Sequence, residues 1–350
     1  MPDLFDPLVI GDLELKNRIV MSALTRQRAS EARVPNALMA DYYAQRAGAG
    51  LILTEATSVM PMGVGYHRTP GIWSREQIEG WKLVTQAVHD AGGKIFVQLW
   101  HVGRISDPIF LDGALPVAPS PITPAGHVSQ LRPERPYVTP RALTTTEIQE
   151  VVQAFRDGAQ NAQDAGFDGV EIHAANGYLI DQFLQDSTNT RDDEYGGSIA
   201  NRARLLLEIV DACILVWGAS RIGVHLAPRG DVSDMGDSNP AATFSHVAQE
   251  LGKRKIGFIC SRDPFDDQYL GATLKREFGG VFIANQGFDK ANAERVIADG
   301  AADAVAFGVQ FLANPDLPKR LAANGPYNAP DPETFFTCGA EGYTDYPALV

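Results

Sequence analysis

Cysteine is scarce: Cys213, Cys260 and Cys338 are the only three in 350 residues, far apart and never in a C-x-x-C arrangement. That excludes a disulfide framework and a zinc ribbon, and suggests a reduced, cytoplasmic setting with the thiols packed as small apolar groups. Basic runs are missing as well. Thirty Lys and Arg against 43 Asp and Glu give a net charge of −13 and a pI near 5.0, which argues against nucleic acid or an anionic membrane as the main partner. Apolar stretches are broken by Asp, Arg or Gly well before the ~18 residues a membrane span needs, and Met1 to Pro7 has no basic segment leading into an apolar one. Neither a membrane span nor a signal peptide is expected. A G-x-G-x-x-G after an early strand is also lacking, which argues against a doubly wound dinucleotide fold.

What is present is ordinary globular composition, 45% hydrophobic and 21% charged, arranged as a long alternation. Short apolar runs predict strands over 18–23, 50–55, 94–99, 168–173, 221–226, 255–260, 280–284 and 303–307. Helical periodicity fills the gaps over 35–47, 75–91, 145–165, 199–217, 241–252, 271–278, 289–299 and 315–323. Ser74 with Gln77 and Thr144 with Glu147 have capping-box spacing, and Asn314 and Pro315 suit an N-cap and first helical residue. Eight βα units without a change of composition predict an α/β chain forming one domain over residues 1–350, a single (β/α)8 TIM barrel. Residues 8–15, around Gly11-Asp12, predict an N-terminal hairpin closing the barrel bottom. The long Pro-rich insertion after strand 3, about 106–141, is expected to cap the C-terminal face.

In such a barrel the reacting groups come from the C-terminal strand ends. The polar residues there are Thr25, Glu55, Gln98, His101, His173, Asn176, Tyr178, His225, Arg262 and Asn285. Strand 7 runs into Asn285-Gln286-Gly287 and strand 8 into Gly308-Val309, where small residues let backbone N–H groups approach a phosphate. After strand 4, His173, Asn176 and Tyr178 can converge: imidazole and carboxamide to polarise a carbonyl, phenol to deliver a proton.

These residues carry a resemblance. PLVIG (7–11), KNRIVMSALTR (16–26), YYAQRA (42–47), GLILTEA (50–56), VQLWHVGR (97–104), GFDGVEIHAANGY (166–178), YGGSIANR (195–202) and EGYTDYP (341–347) are similar to the Old Yellow Enzyme family of FMN-dependent ene-reductases, near its N-ethylmaleimide reductase branch. The resemblance implies FMN across the barrel mouth. Thr25 and Gln98 would then contact the flavin ring, Ala23 and Ala56 would lie beside it, and Asn285, Gln286, Gly308 and Val309 would take the phosphate. It further implies that His173 and Asn176 grip the carbonyl oxygen of a small electron-poor alkene, that Tyr178 protonates it, and that NADPH or NADH reloads the flavin. Tyr66, Trp100 and Tyr343 resemble the aromatic pocket lining.

Two departures stand out. His225 occupies a place where the family usually has Arg beside the flavin, and Val309 replaces another Arg on the phosphate loop. Arg262 or Arg229 is expected to supply the missing charge. Three competing readings weigh less. Glu171 and His173, with His225 on the next strand, could hold a hydrolytic metal. A Schiff-base aldolase would need a lysine at a C-terminal strand end, and there is none. A non-catalytic flavin or small-ligand binding barrel is the third. A monomer and a homodimer are equally compatible with the sequence.

Overall fold

Apolar runs this continuous can bury both faces only inside a covered parallel sheet. In the computed structural model, which describes residues 2–349, eight of them do so. They are β1 (Ile19–Met21), β2 (Leu51–Leu53), β3 (Ile95–Trp100), β4 (Gly169–Ala174), β5 (Ile222–Leu226), β6 (Phe258–Arg262), β7 (Val281–Asn285) and β8 (Ala304–Phe307). Each pairs in parallel with its neighbours, and β8 pairs with β1, so the sheet closes. A two-residue strand, Thr57–Ser58, adds to the upper end of β3 opposite Leu99 and Trp100.

The outer ring is α1 (Ala37–Gln45), α2 (Arg75–Asp90), α3 (Thr145–Asp164), α4 (Ile199–Trp217), α5 (Pro240–Arg254), α6 (Gly271–Phe278), α7 (Lys290–Ala298) and α8 (Leu317–Ala323). Both predicted capping boxes form, at Ser74/Gln77 and Thr144/Glu147, with the bonds running in both directions. Two expectations are corrected. Strand 6 begins at Phe258 rather than Lys255, because Lys255 takes a left-handed conformation (φ 55°) that ends α5. Asn314 is not an N-cap: a short helix, Val309–Ala313, precedes it, and α8 starts two residues beyond Pro315, behind Asp316.

The barrel floor is apolar. Leu8–Ile10 and Leu13–Leu15 form the predicted antiparallel hairpin, and their inward residues pack against Val20, Leu51, Phe96 and Phe258. Filling this layer with two phenyl rings requires missing side chains opposite: a Cβ on Gly169 would overlap Phe96, and one on Gly223 would overlap Phe258. With the floor sealed, polar strand residues collect at the other end. The insertion after β3 lies there too, anchored by the two-residue parallel pairing of Val117–Ala118 with Arg141–Ala142, and it packs Tyr137 near Tyr66, Trp100 and Tyr178.

Candidate functional site

Two cavities open at the C-terminal ends of the strands and share Ala23, Asn176 and His225 as walls. The smaller, about 70 Å³, is completed by Thr25, Ala56, Gln98, His173 and Tyr178. The larger, about 580 Å³, runs over β6 to β8 and is lined by Arg262, Asn285, Gln286, Gly308 and Val309 among others. All twelve residues predicted to touch cofactor or reacting atoms therefore fall on one continuous surface.

His173 and His225 sit at matching positions on β4 and β5, which brings their rings to 5.5 Å in a near-parallel stack. Both are buried, and burial keeps both neutral. It pushes His225 down to about 3 and His173 well below the usual imidazole range; Arg262 adds to the shift at each. Nδ1 of His173 and Nε2 of His225 have no protein partner. Beneath them, Gln98 Nε2 donates to Glu171 Oε2 at 2.7 Å and to His225 Nδ1 at 3.1 Å. Burial raises Glu171 to about 8 in spite of the Gln98 bond. The 3.9 Å approach of Glu171 to His225 is therefore between neutral groups, not an ion pair.

Tyr178 follows β4 and leads into the short helix Leu179–Leu184. Its hydroxyl shares a hydrogen bond of 2.9 Å with that of Tyr66, and its ring meets Trp100 and His173 edge-on at 4.9 and 5.1 Å. Burial lifts its phenol to about 12, partly offset by the Tyr66 bond, so Tyr178 holds its proton at neutral pH. Asn176 takes φ 60°, a left-handed turn that asparagine tolerates, and its Oδ1 accepts from Arg262 Nη1 at 2.6 Å. With the carbonyl end so engaged, the amide N–H donors of Asn176 remain for a ligand.

Several expectations change. Tyr343 does not line either cavity; it is fully buried and stacks on Tyr42 at 4.0 Å. Tyr66 and Trp100, stacked on each other at 5.5 Å, both pack against Tyr178 of the smaller cavity. Asn285 spends both amide donors on the barrel, one on Ser22 Oγ and one on Ala306 O. Arg229 cannot serve as the spare cation, because Asp263 and Asp266 hold it at 2.5 and 2.9 Å. Tyr137 and the Asn176–Arg262 bond carry no local signal in the sequence. Arg262 and Asn176 are 86 residues apart, and only the closed sheet joins them.

The metal reading shifts partners: among the described residues Glu171, His225 and Cys260, not His173, are the cluster whose ligand atoms lie within 4.8 Å. Gln98 donates to Glu171 Oε2 and His225 Nδ1, while Glu171 Oε1 and His225 Nε2 are left without a protein partner. Burial raises both the Glu171 carboxyl and the Cys260 thiol, so at neutral pH the set offers a cation no anionic ligand.

Comparison with known proteins agrees with this geometry. 12-Oxophytodienoate reductase 1 of Oryza sativa subsp. japonica is 43% identical over 364 residues, covering 99% of this chain and 93% of the relative. Among solved structures, an old yellow enzyme homologue from Zymomonas mobilis matches with a TM-score of 0.97 at 44% identity, covering 99% of this chain and all of that one. Morphinone reductase in complex with tetrahydroNAD gives 0.97 at 44%, covering 100% and 98%. The model of the NADH:flavin oxidoreductase / NADH oxidase family matches residues 3–328, and the chain belongs to that family.

Proposed function

We propose that this protein reduces the activated C=C bond of small α,β-unsaturated carbonyl compounds, using FMN as its cofactor and NADPH or NADH as reductant. The observation that carries this reading is the neutral, buried His173, its Nδ1 unpartnered, lining one cavity with Asn176 and Tyr178. The residues fit a flavin phosphate. The larger cavity offers small or backbone-lined walls at Gln286, Gly308 and Val309 for a phosphate, and the smaller offers Ala23, Thr25, Ala56 and Gln98 for a planar ring. The orphaned Nε2 of His225, on the wall shared by both, is a buried polar atom that a ligand would satisfy.

When bound, FMN would supply the hydride that NAD(P)H provides. The chain supplies the rest. His173 and the Asn176 amide are placed to hold a carbonyl oxygen and to favour it as charge develops there. Being neutral, His173 polarises the oxygen without giving up a proton to it. Tyr178 is the protonated acid in reach, and the bond to Tyr66 supports the phenolate left after donation. Cyclic enones and maleimides present the required oxygen beside the double bond.

The test is spectroscopic. Protein purified with excess FMN should retain a yellow chromophore, bleach anaerobically with NADPH, and recover colour on adding a cyclic enone or maleimide. Protein that stays colourless, or that bleaches and never recovers with such alkenes, refutes the assignment.

A further inference from the structure

The strand register points to a role for Arg262. Cys260 pairs with His225 across β5 and β6, and Arg262 lies two residues further along β6, so it projects from the same inner face one layer higher. On its other side it pairs with Asn285 of β7. It thus stands between the shared wall at His225 and the Gln286/Gly308 end of the larger cavity, and it is the one cation among the described residues lining that cavity.

Its surroundings leave the charge available. Among the described residues Arg262 makes no ion pair, and its side-chain bond runs to the neutral Asn176 Oδ1. The neighbouring Arg229, by contrast, is neutralised by Asp263 and Asp266. The acidic group lining the same cavity, Asp289, is occupied as the N-cap of α7, accepting from Asn292. The two histidines nearby contribute no charge at neutral pH. A half-buried guanidinium without a counterion, at the mouth of a cavity suited to an anionic ligand, is a site for negative charge.

We infer that Arg262 is the cation that balances the negative charge the bound cofactor gains on reduction and, through Asn176 Oδ1, turns the Asn176 amide donors toward the substrate oxygen. This rests on the FMN assignment above. One side chain then serves both ends of the site, compensating for the neutral His225.

Three measurements test it on the full chain loaded with FMN: the dissociation constants of oxidised FMN and of anaerobically reduced FMN, by absorbance and fluorescence titration, and the affinity of a simple phenol followed by its shift of the flavin spectrum. Losing a charge-assisted contact corresponds to about tenfold to a hundredfold in affinity. Arg262→Gln should weaken reduced FMN by about tenfold more than it weakens oxidised FMN, and should weaken phenol binding as well. Arg262→Lys should restore the reduced-FMN affinity but not the phenol affinity, since an ammonium keeps the charge without the planar geometry. Equal losses for oxidised and reduced FMN in Arg262→Gln, or unchanged phenol affinity, overturn the inference while leaving the flavin assignment intact. A parent protein that takes up no FMN removes that assignment, and this role with it.

Discussion

The chemistry of single residues here is set mainly by burial. Tyr178 keeps its proton because its phenol is pushed up to about 12, yet the Tyr66 hydroxyl is placed to donate a bond to the phenolate that remains after transfer. Tyr178→Phe removes the acid and its bond to the Tyr66 hydroxyl, while the ring still packs on Trp100 and His173. The rate of alkene reduction should fall by about 10²- to 10⁴-fold, a usual range for a positioned acid, while NADPH bleaches the flavin at the parent rate. Stopped-flow measurement of the two half-reactions separates them; equal slowing of both would contradict the role. Glu171 gives a stability prediction. It stands at about 8 in the fold against an ordinary 4.5, so between those values the folded chain holds a proton the unfolded chain has released. The stability due to this group is complete below the unfolded value and is lost as pH rises through the folded one, at no more than about 1.4 kcal/mol per pH unit. Glu171→Gln should flatten the decline of the urea midpoint between about pH 5 and 8, leaving the part owed to Glu55 and Asp181, both raised to about 7 by burial. Identical slopes would mean that Glu171 is ionised in the fold.

At the scale of elements, the strands that carry the site stand on a floor whose packing leaves no room for growth. Gly223 on β5 faces the Phe258 ring of β6, and Gly223→Ala would force that ring or the strand aside. Overpacking of this kind costs about 1–3 kcal/mol, which equilibrium urea unfolding would show. Because His225 lies two residues further along the same strand, the shift should also weaken FMN uptake; an alanine variant with parental stability would show that the floor is slack. The same scale explains how much could be read in advance. Each strand announced itself as an apolar run, and His173, Asn176 and Tyr178 lie within six residues, so their convergence is local. The upper layer of the site is different. Arg262 reaches Asn176, and Tyr137 reaches the Tyr66–Tyr178 pair, only after the sheet has closed and the insertion has folded over it. Tyr343 is buried against Tyr42 rather than at a cavity for the reverse reason: an aromatic in a resembling motif says nothing about which side of the barrel wall it lies on.

For the molecule as a whole, the C-terminal segment acts as a strap, and Tyr343 is its anchor. Arg26, in the loop after β1, donates to Phe335 O and Gly342 O, while Arg28 donates to Thr334 O and Glu341 O. Arg46, fully buried at the end of α1, donates to Phe311 O and Leu312 O and lies over the Tyr42 ring, the same ring on which Tyr343 stacks. Three guanidiniums thus tie the last residues to the first βα unit and to the chain beyond β8, which brings both ends of the barrel sequence together where β8 meets β1. Burying guanidiniums against carbonyls and aromatic faces is costly unless every partner stays in place, so the strap is expected to act cooperatively. Tyr343→Ala should lose about 3 kcal/mol, typical of a fully buried aromatic truncated to alanine, and should expose the segment after residue 326 to proteolysis well before the barrel itself. In the variant that remains folded, phenol affinity should stay at the parental value, because the side chain lies outside both cavities. Phenol binding that falls along with stability would place Tyr343 at the substrate after all.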